Sequence, residues 1–327
     1  MSFRQTVSEF FPPPPGFTEK DLPSLSGKAY LITGGAAGIG KELARILFSA
    51  GATVYIAGRS LSNIERATKD IVDNPVQLQS AQTAPATGKI VAVVFDLADL
   101  PSIKPAIETL KQQTTKLDVA FLNAGVMVPP RESKTKQGYE LQWGTNVVGH
   151  FVLQRLLLPL LLASARESGQ ARIVWASSDA SARSPSPDGI SWDDINSPKL
   201  DSWTTYGQSK AGNIILAAET ARRYAKDNII ATSLNPGHLK TDLQRHWLSD
   251  SRIRSLVTAP LLHEPRYGAL TQLFVGLSER VNAEKNGQYF IPWGREGKRP
   301  KQIEKGLENG SGGRLWDLLE TETEQYI

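Results

Sequence analysis

From Lys28 onward the chain alternates short β-type runs with helix-type stretches. No other feature constrains its fold as strongly, because parallel strands cannot be joined by tight turns and need crossovers of about a dozen residues or more, usually helical. The runs "AYLITG" (Ala29 to Gly34), "TVYIAG" (Thr53 to Gly58), "KIVAVVFD" (Lys89 to Asp96), "DVAFLNAG" (Asp118 to Gly125), "RIVWASS" (Arg172 to Ser178), "IIATSLNPG" (Ile229 to Gly237) and "QYFIP" (Gln288 to Pro292) read as strands. Several are almost continuously apolar, as strands are when both faces of the sheet are covered. The pattern predicts an α/β fold with a doubly wound parallel sheet of about seven strands in a single domain, residues 28–293.

Three segments fall outside the rhythm. Residues 1–27 form a Pro-rich extension whose four consecutive prolines favour an extended polyproline path. Residues 179–205 are an insertion rich in Ser, Pro and Asp, and residues 294–327 form a tail in which Leu315, Leu318 and Leu319 predict one short amphipathic helix packed on the domain. The N-terminus lacks the apolar run of a signal peptide, and the apolar window Phe151 to Ala165 is shorter than the ~20 residues a bilayer requires and carries Arg155. A buried helix bent near Pro159 is expected there, with no membrane span.

The charges, 37 basic against 33 acidic, give +4 with no basic run, so no nucleic-acid footprint is expected. With no cysteine there is no disulfide or thiolate site, which suits a reducing, cytoplasmic setting. The four histidines show no compact ligand spacing, and no metal is expected.

Chemistry is signalled first by "TGGAAGIGKELARILFSAG", a glycine-rich turn opening a helix, with Gly34, Gly38 and Gly40 spaced G-x-x-x-G-x-G. Without Cβ atoms the backbone can turn tightly against a pyrophosphate, which the free N–H groups of a helix start favour. The competing reading is a strand-to-helix turn that binds nothing. At the end of the second strand an NAD-selective site would place an acid for the ribose 2′-OH. Arg59 stands there instead, and a guanidinium fork suits a 2′-phosphate, which favours NADP(H); a solvated loop arginine is the alternative. Asp96 and the turn Asn123-Ala124-Gly125 end neighbouring strands on the same carboxyl edge, where ligands sit in such sheets.

The second signal is "SWTTYGQSKAGN", in which Tyr206 and Lys210 stand four apart and share a helix face. A phenol with a pKa of ~10 is a poor base at neutral pH. A positive charge ~4 Å away at an effective dielectric of ~20 is worth up to ~4 kcal/mol, enough to bring it towards the working range. The pair alone is weak evidence, since such spacings arise by chance.

Its company is stronger. Thr33 with the glycine turn, the Asn123-Ala124-Gly125 turn, "WGTNVVGHF" with Asn146, "VWASS", "YGQSK" and "NPGHLKTDL" follow in the order of the short-chain dehydrogenase/reductase family, which residues 28–293 resemble. In "AGRS", "LNAGVM" and "GTNVVGHFVLQRLLLPLLL" the chain is most similar to retinol-dehydrogenase-like members found among fungal and animal sequences. The resemblance implies a three-layer Rossmann fold. It makes Tyr206 the general acid in carbonyl reduction, or the base in the reverse direction. Lys210 would bind the nicotinamide ribose and depress the phenol pKa. Ser178, or Ser177 one residue earlier, would hold the substrate oxygen, and Asn146 would keep a relay water beside Lys210.

For the cofactor, it implies Gly34, Gly38, Ile39 and Gly40 around the pyrophosphate, Arg59 at the 2′-phosphate, Asp96 and Leu97 at the adenine, and Asn123 with Gly125 on the adenosine side. Pro236 and Gly237 would pass the nicotinamide, with Thr241 reaching its carboxamide or phosphate. It also suggests a homodimer paired through long helices starting near Leu141 and Tyr206.

Expected pocket walls are Val126, Met127, Trp192, Trp203, His238, Leu243 and Trp247, the last three in a substrate-lid region, residues 238–263; the alternative is that the tryptophans simply pack within their loops. These large apolar groups suggest a lipophilic or aromatic ketone, aldehyde or secondary alcohol in secondary metabolism. NADPH-dependent reduction leads. Oxidation by the same residues, and a catalytically silent NADP-binding scaffold, are the alternatives.

Overall fold

Successive side chains of a strand point to opposite faces, and here both faces are buried. Leu31, Ala57, Ala120 and Trp175 join one apolar cluster, while Ile32, Val54, Ile56 and Phe121 join another on the far side. The computed structural model describes residues 3–78, 88–196, 199–241 and 262–327. Its elements run α1 (Phe3–Phe10), β1 (Ala29–Thr33), α2 (Gly38–Ser49), β2 (Thr53–Gly58), α3 (Leu61–Asp73), β3 (Lys89–Val94), α4 (Ile103–Lys111), β4 (Val119–Leu122) and α5 (Leu141–Ser168). After these come β5 (Ala171–Ala176), α6 (Ser202–Tyr224), β6 (Ile229–Leu234), α7 (Pro265–Leu277), β7 (Tyr289–Ile291), β8 (Arg295–Gly297), α8 (Lys301–Glu308) and α9 (Ser311–Thr323).

The strands form one sheet in the order β3-β2-β1-β4-β5-β6-β7-β8. Every neighbouring pair is parallel except β7 with β8. Helices α2, α3 and α7 cover one face through Leu43, Leu47, Ile64 and Leu273, while α4, α5 and α6 cover the other through Ile107, Phe151, Leu157 and Ile214. The three-layer Rossmann arrangement is therefore as expected. Strand order reverses between β1 and β4, and the crevice beyond their carboxyl ends is where such sheets take ligands.

Both chain ends depart from expectation. The N-terminal extension is helical over Phe3–Phe10 and loses helicity just before Pro12, which offers no backbone N–H to continue the ladder. The tail adds an eighth, antiparallel strand and two helices to the seven strands expected. Arg295, Glu296 and Gly297 carry too little apolar pattern to mark a strand; they pair because β7 offers an open edge.

Helix α5 is 28 residues long, with mean hydropathy 1.7 in a window that is 78% buried inside the domain. Length and composition alone would let it cross a membrane; its burial makes it the central core helix. It outruns the expected apolar window because its polar start is buried too, Gln142 and Asn146 included, and it continues through Pro159.

Helix α9 lies along α5 and α6. Trp316 meets Phe151 edge-on at 5.0 Å, Arg223 lies 4.7 Å over the Trp316 ring, and Arg155 pairs with Glu320. Leu315 and Leu319 are buried beside it, so the tail is a structural part of the domain. Replacing Trp316 by Ala is expected to cost about 3–5 kcal/mol, read as a lower urea midpoint; an unchanged midpoint would mean that α9 adds nothing to the fold.

Candidate active site

The phosphate-facing turn begins where β1 ends. Gly34 and Gly38 hold φ of +67° and +50°, left-handed values that side chains rarely tolerate. A Cβ at Gly40 would lie 2.4 Å from the Gly34 carbonyl oxygen, so the turn closes only around glycine. Ala37, at the N-cap of α2, offers no side-chain acceptor, which leaves the N–H groups of that 12-residue helix for an anion. Thr241 sits over the turn, its Cγ2 3.4 Å from where a Gly38 Cβ would be. This cradle fits a dinucleotide pyrophosphate.

Thr33 locks the turn to the next strand. Its hydroxyl accepts from the Asn123 and Ala124 N–H groups at 2.8 and 2.9 Å, while Asn123 Nδ2 donates back to the Thr33 carbonyl at 2.9 Å. Gln272 Nε2 donates to Asn123 Oδ1 at 2.6 Å. The Asn123 amide is thus committed within the protein, and what it does is fix the turn. His150 completes the knot: Nδ1 lies 3.1 Å from the Asn146 carbonyl and so must be its donor. That leaves Nε2 to accept the Thr33 hydroxyl proton at 2.9 Å. Burial pushes the imidazole pKa down to about 3, so it is neutral. Neither Gln272 nor His150 was assigned a role by sequence reasoning; a histidine four residues after Asn146 was the available signal.

The other cofactor-side expectations lie on the same edge. Arg59 is exposed at the end of β2 with no ion pair or hydrogen bond among the described residues. Asp96 Oδ1 accepts from Ala98 N–H at 2.9 Å, and Leu97 is buried with its carbonyl packed where a Gly149 Cβ would be. Pro236 and Gly237 line the central cavity together with Ile39.

Tyr206 and Lys210 lie in the first half of α6, which starts at Ser202 under an Asp201 cap that accepts from Trp203 and Thr204 N–H groups. Trp203 to Thr205 therefore belong to the catalytic helix and not to the preceding insertion. Lys210 Nζ is 5.7 Å from the Tyr206 ring centroid and donates to the Ala176 carbonyl at 3.0 Å. Asn146 Oδ1 accepts from Val126 N–H at 2.8 Å, and its Nδ2 donates to Ser209 Oγ at 3.0 Å. A side chain at Gly125 would start 3.1 Å from Asn146 Oδ1 and 3.4 Å from Lys210 Nζ.

The two serines separate cleanly. Ser177 is buried and donates to the Lys210 carbonyl at 2.7 Å, a structural bond. Ser178 lines the same cavity as Tyr206, donates to Asp179 Oδ1 at 2.9 Å and accepts from Ala180 N–H at 3.1 Å.

One electrostatic expectation is corrected. The Tyr206 phenol is pushed up, not down: burial raises it most, the Asp179 carboxylate adds to this, and the neighbouring Ser178 hydroxyl only partly offsets them. Full desolvation of such a group is worth up to ~3–5 pK units. Burial also pushes Lys210 down to about 8.

These groups face a cavity of about 640 Å³. Met127, Trp203 and His238 line it as expected, and Thr6, Glu9 and Phe10 of α1 line it unexpectedly. Trp192 does not: it lies under Arg314, 4.1 Å away, beside the tail. Val126 lies outside the lining, its N–H bound to Asn146. Leu243 and Trp247 lie outside the described residues.

The short chain dehydrogenase family model matches residues 28–191. A short-chain dehydrogenase/reductase of Armillaria gallica is 40% identical, covering 98% of this chain and 98% of its own length. Another, of Phomopsis amygdali, is 36% identical and covers 100% of this chain and 98% of its own length. Among solved structures, the Pseudomonas aeruginosa RhlG/NADP active-site complex superposes with a TM-score of 0.63 at 25% identity, over 82% of this chain and 95% of that one. The chain belongs to the short-chain dehydrogenase/reductase family. It is an NAD(P)-dependent oxidoreductase.

Gly207, next to Tyr206, went unnoticed in the sequence. A Cβ there would lie 2.7 Å from the Ala180 carbonyl and 3.1 Å from Ser184 N, so only glycine lets the turn after Ser178 close on α6. Gly207→Ala is expected to part Ser178 from Tyr206 and lower turnover by about tenfold or more, with binding of the nicotinamide cofactor retained. Unchanged turnover would show that this contact does not set the geometry.

Proposed function

We propose that the protein uses NADPH to reduce the carbonyl of a lipophilic or aromatic small molecule. The carrying observation is the convergence of Ser178, Tyr206 and Lys210 on one cavity whose remaining wall is largely apolar, with Met127, Trp203 and Leu239 in it. The bound nicotinamide supplies the hydride chemistry. The chain's own residues hold and protonate the substrate: Ser178 turns its hydroxyl from Asp179 to the carbonyl oxygen, and Tyr206 donates the proton. Lys210 stabilises the phenolate left behind, and Asn146 holds the segment beside it.

Reduction is favoured over oxidation because burial and Asp179 keep Tyr206 protonated, ready to act as an acid. NADPH is favoured over NADH because Arg59 stands exposed beyond β2 with no acid beside it in "AGRS". If two copies associate, the faces of α5 and α6 already covered by α9 are not the ones we propose they share.

Mixed with NADPH and a panel of aromatic ketones, the purified protein is expected to consume the reduced nicotinamide, more efficiently than with NADH, and Tyr206→Phe to lose about 10²–10⁴-fold. No loss in the variant would remove Tyr206 from the chemistry. The pH profile is a separate check. Lys210 is depressed by burial, so its positive charge is present below about pH 8 and lost as pH rises through that value. Reductive kcat/KM for NADPH is expected to fall on that alkaline side; a profile flat to pH 9.5 would exclude this role for Lys210.

A further inference from the structure

Helix α1 lies far in sequence from every catalytic group, yet three of its residues line the cavity that holds them. Phe10 lies flat on His238, with ring centroids 4.0 Å and planes 17° apart. One turn earlier, Thr6 faces the same cavity, as positions four apart on a helix do.

The helix is anchored by specific polar contacts. Glu9 is 2% exposed, and its carboxylate accepts from Asn235 Nδ2 at 2.7 Å and Gln5 Nε2 at 2.8 Å. Gln5 Oε1 accepts from Lys298 N–H at 2.9 Å while its amide donates to the Lys298 carbonyl, and Arg295 Nη2 donates to the Ser8 carbonyl at 2.8 Å. A buried carboxylate is costly unless its oxygens are satisfied, and here each has a donor. Asn235 opens the "NPG" segment, so the anchor attaches α1 to the loop whose Pro236 and Gly237 line the cavity.

We propose that α1 is a built-in wall of the substrate pocket, in which Phe10, held on His238, together with Thr6 determines which ring-bearing carbonyl compounds the enzyme accepts. The inference rests on the reductase reading above. A ring fixed on His238 gives an incoming flat, apolar substrate a surface of set position, at little entropic cost. The domain core lacks that surface without α1.

The test compares the full-length protein with Phe10→Ala and with a variant lacking residues 1–11, on acetophenone, 2-tetralone and 9,10-phenanthrenequinone. KM for the two- and three-ring ketones is expected to rise about tenfold or more and the order of preference to change, with NADPH affinity unaltered. Equal KM values and an unchanged order in Phe10→Ala would overturn the proposal, whether or not the truncated chain folds, while leaving the reductase reading intact. If the full-length protein consumes no NADPH with any ketone, that reading fails, and calorimetric titration of the same ketones into the NADP⁺-loaded proteins decides this one. Weaker binding by Phe10→Ala supports the wall; equal binding, or none by either protein, overturns it.

Discussion

Everything at the site depends on how closely α6 docks on the end of β5. The Ala176 carbonyl accepts from both Lys210 Nζ and Asn213 Nδ2, at 3.0 and 2.9 Å, and Ser177 returns a bond to the Lys210 carbonyl at 2.7 Å. Three buried hydrogen bonds at Ala176, the last residue of β5, and Ser177 just beyond it fix the helix in translation and rotation at once. A buried carbonyl left without donors would cost about 1–3 kcal/mol, so the docking has no low-energy alternative nearby. Tyr206 and Ser178 inherit their relation from this joint: one sits a helical turn before Lys210, the other directly follows Ser177.

The same docking sets the electrostatics. This docking leaves Tyr206 and Lys210 buried in the cavity wall, and desolvation pushes the two in opposite directions, the phenol up and the ammonium down, each towards its neutral form. A neutral phenol beside a lysine close to its own titration range is a poised acid: proton loss from Tyr206 becomes easier as negative charge is met by Lys210. Asp179 opposes that loss, so the site resists ionising before a substrate oxygen arrives to take the proton. The isolated Tyr–Lys pair read from spacing could not show this, because its dielectric was assumed and its acidic neighbour lies one residue beyond the serine motif.

The sheet was legible because its information is local. Each β-type run carries its own apolar pattern, and the strands expected from Thr53 and Lys89 begin at those residues in the structure. The glycine turn and the Tyr206–Lys210 spacing stood out in the same local way, whereas Asn146 and Ser178 were singled out only by the family resemblance. Trp192 was misassigned because a tryptophan in an insertion carries no direction, and it turned to the tail and Arg314. Strand β8 escaped because Arg295, Glu296 and Gly297 are held by the open edge of β7 and not by any preference of their own.

Helix α1 shows the limit of local reading most plainly. An isolated helix of eight residues is unstable in water, since nucleation costs more than so few hydrogen bonds return. Nothing in "FRQTVSEFF" and the four prolines after it, taken alone, calls for a helix. Its stability must come from what it touches, chiefly the satisfied Glu9 carboxylate and the Phe10 stack on His238. Helix formation and docking are therefore one event, and that event builds a face of the cavity in which Ser178 and Tyr206 meet a substrate.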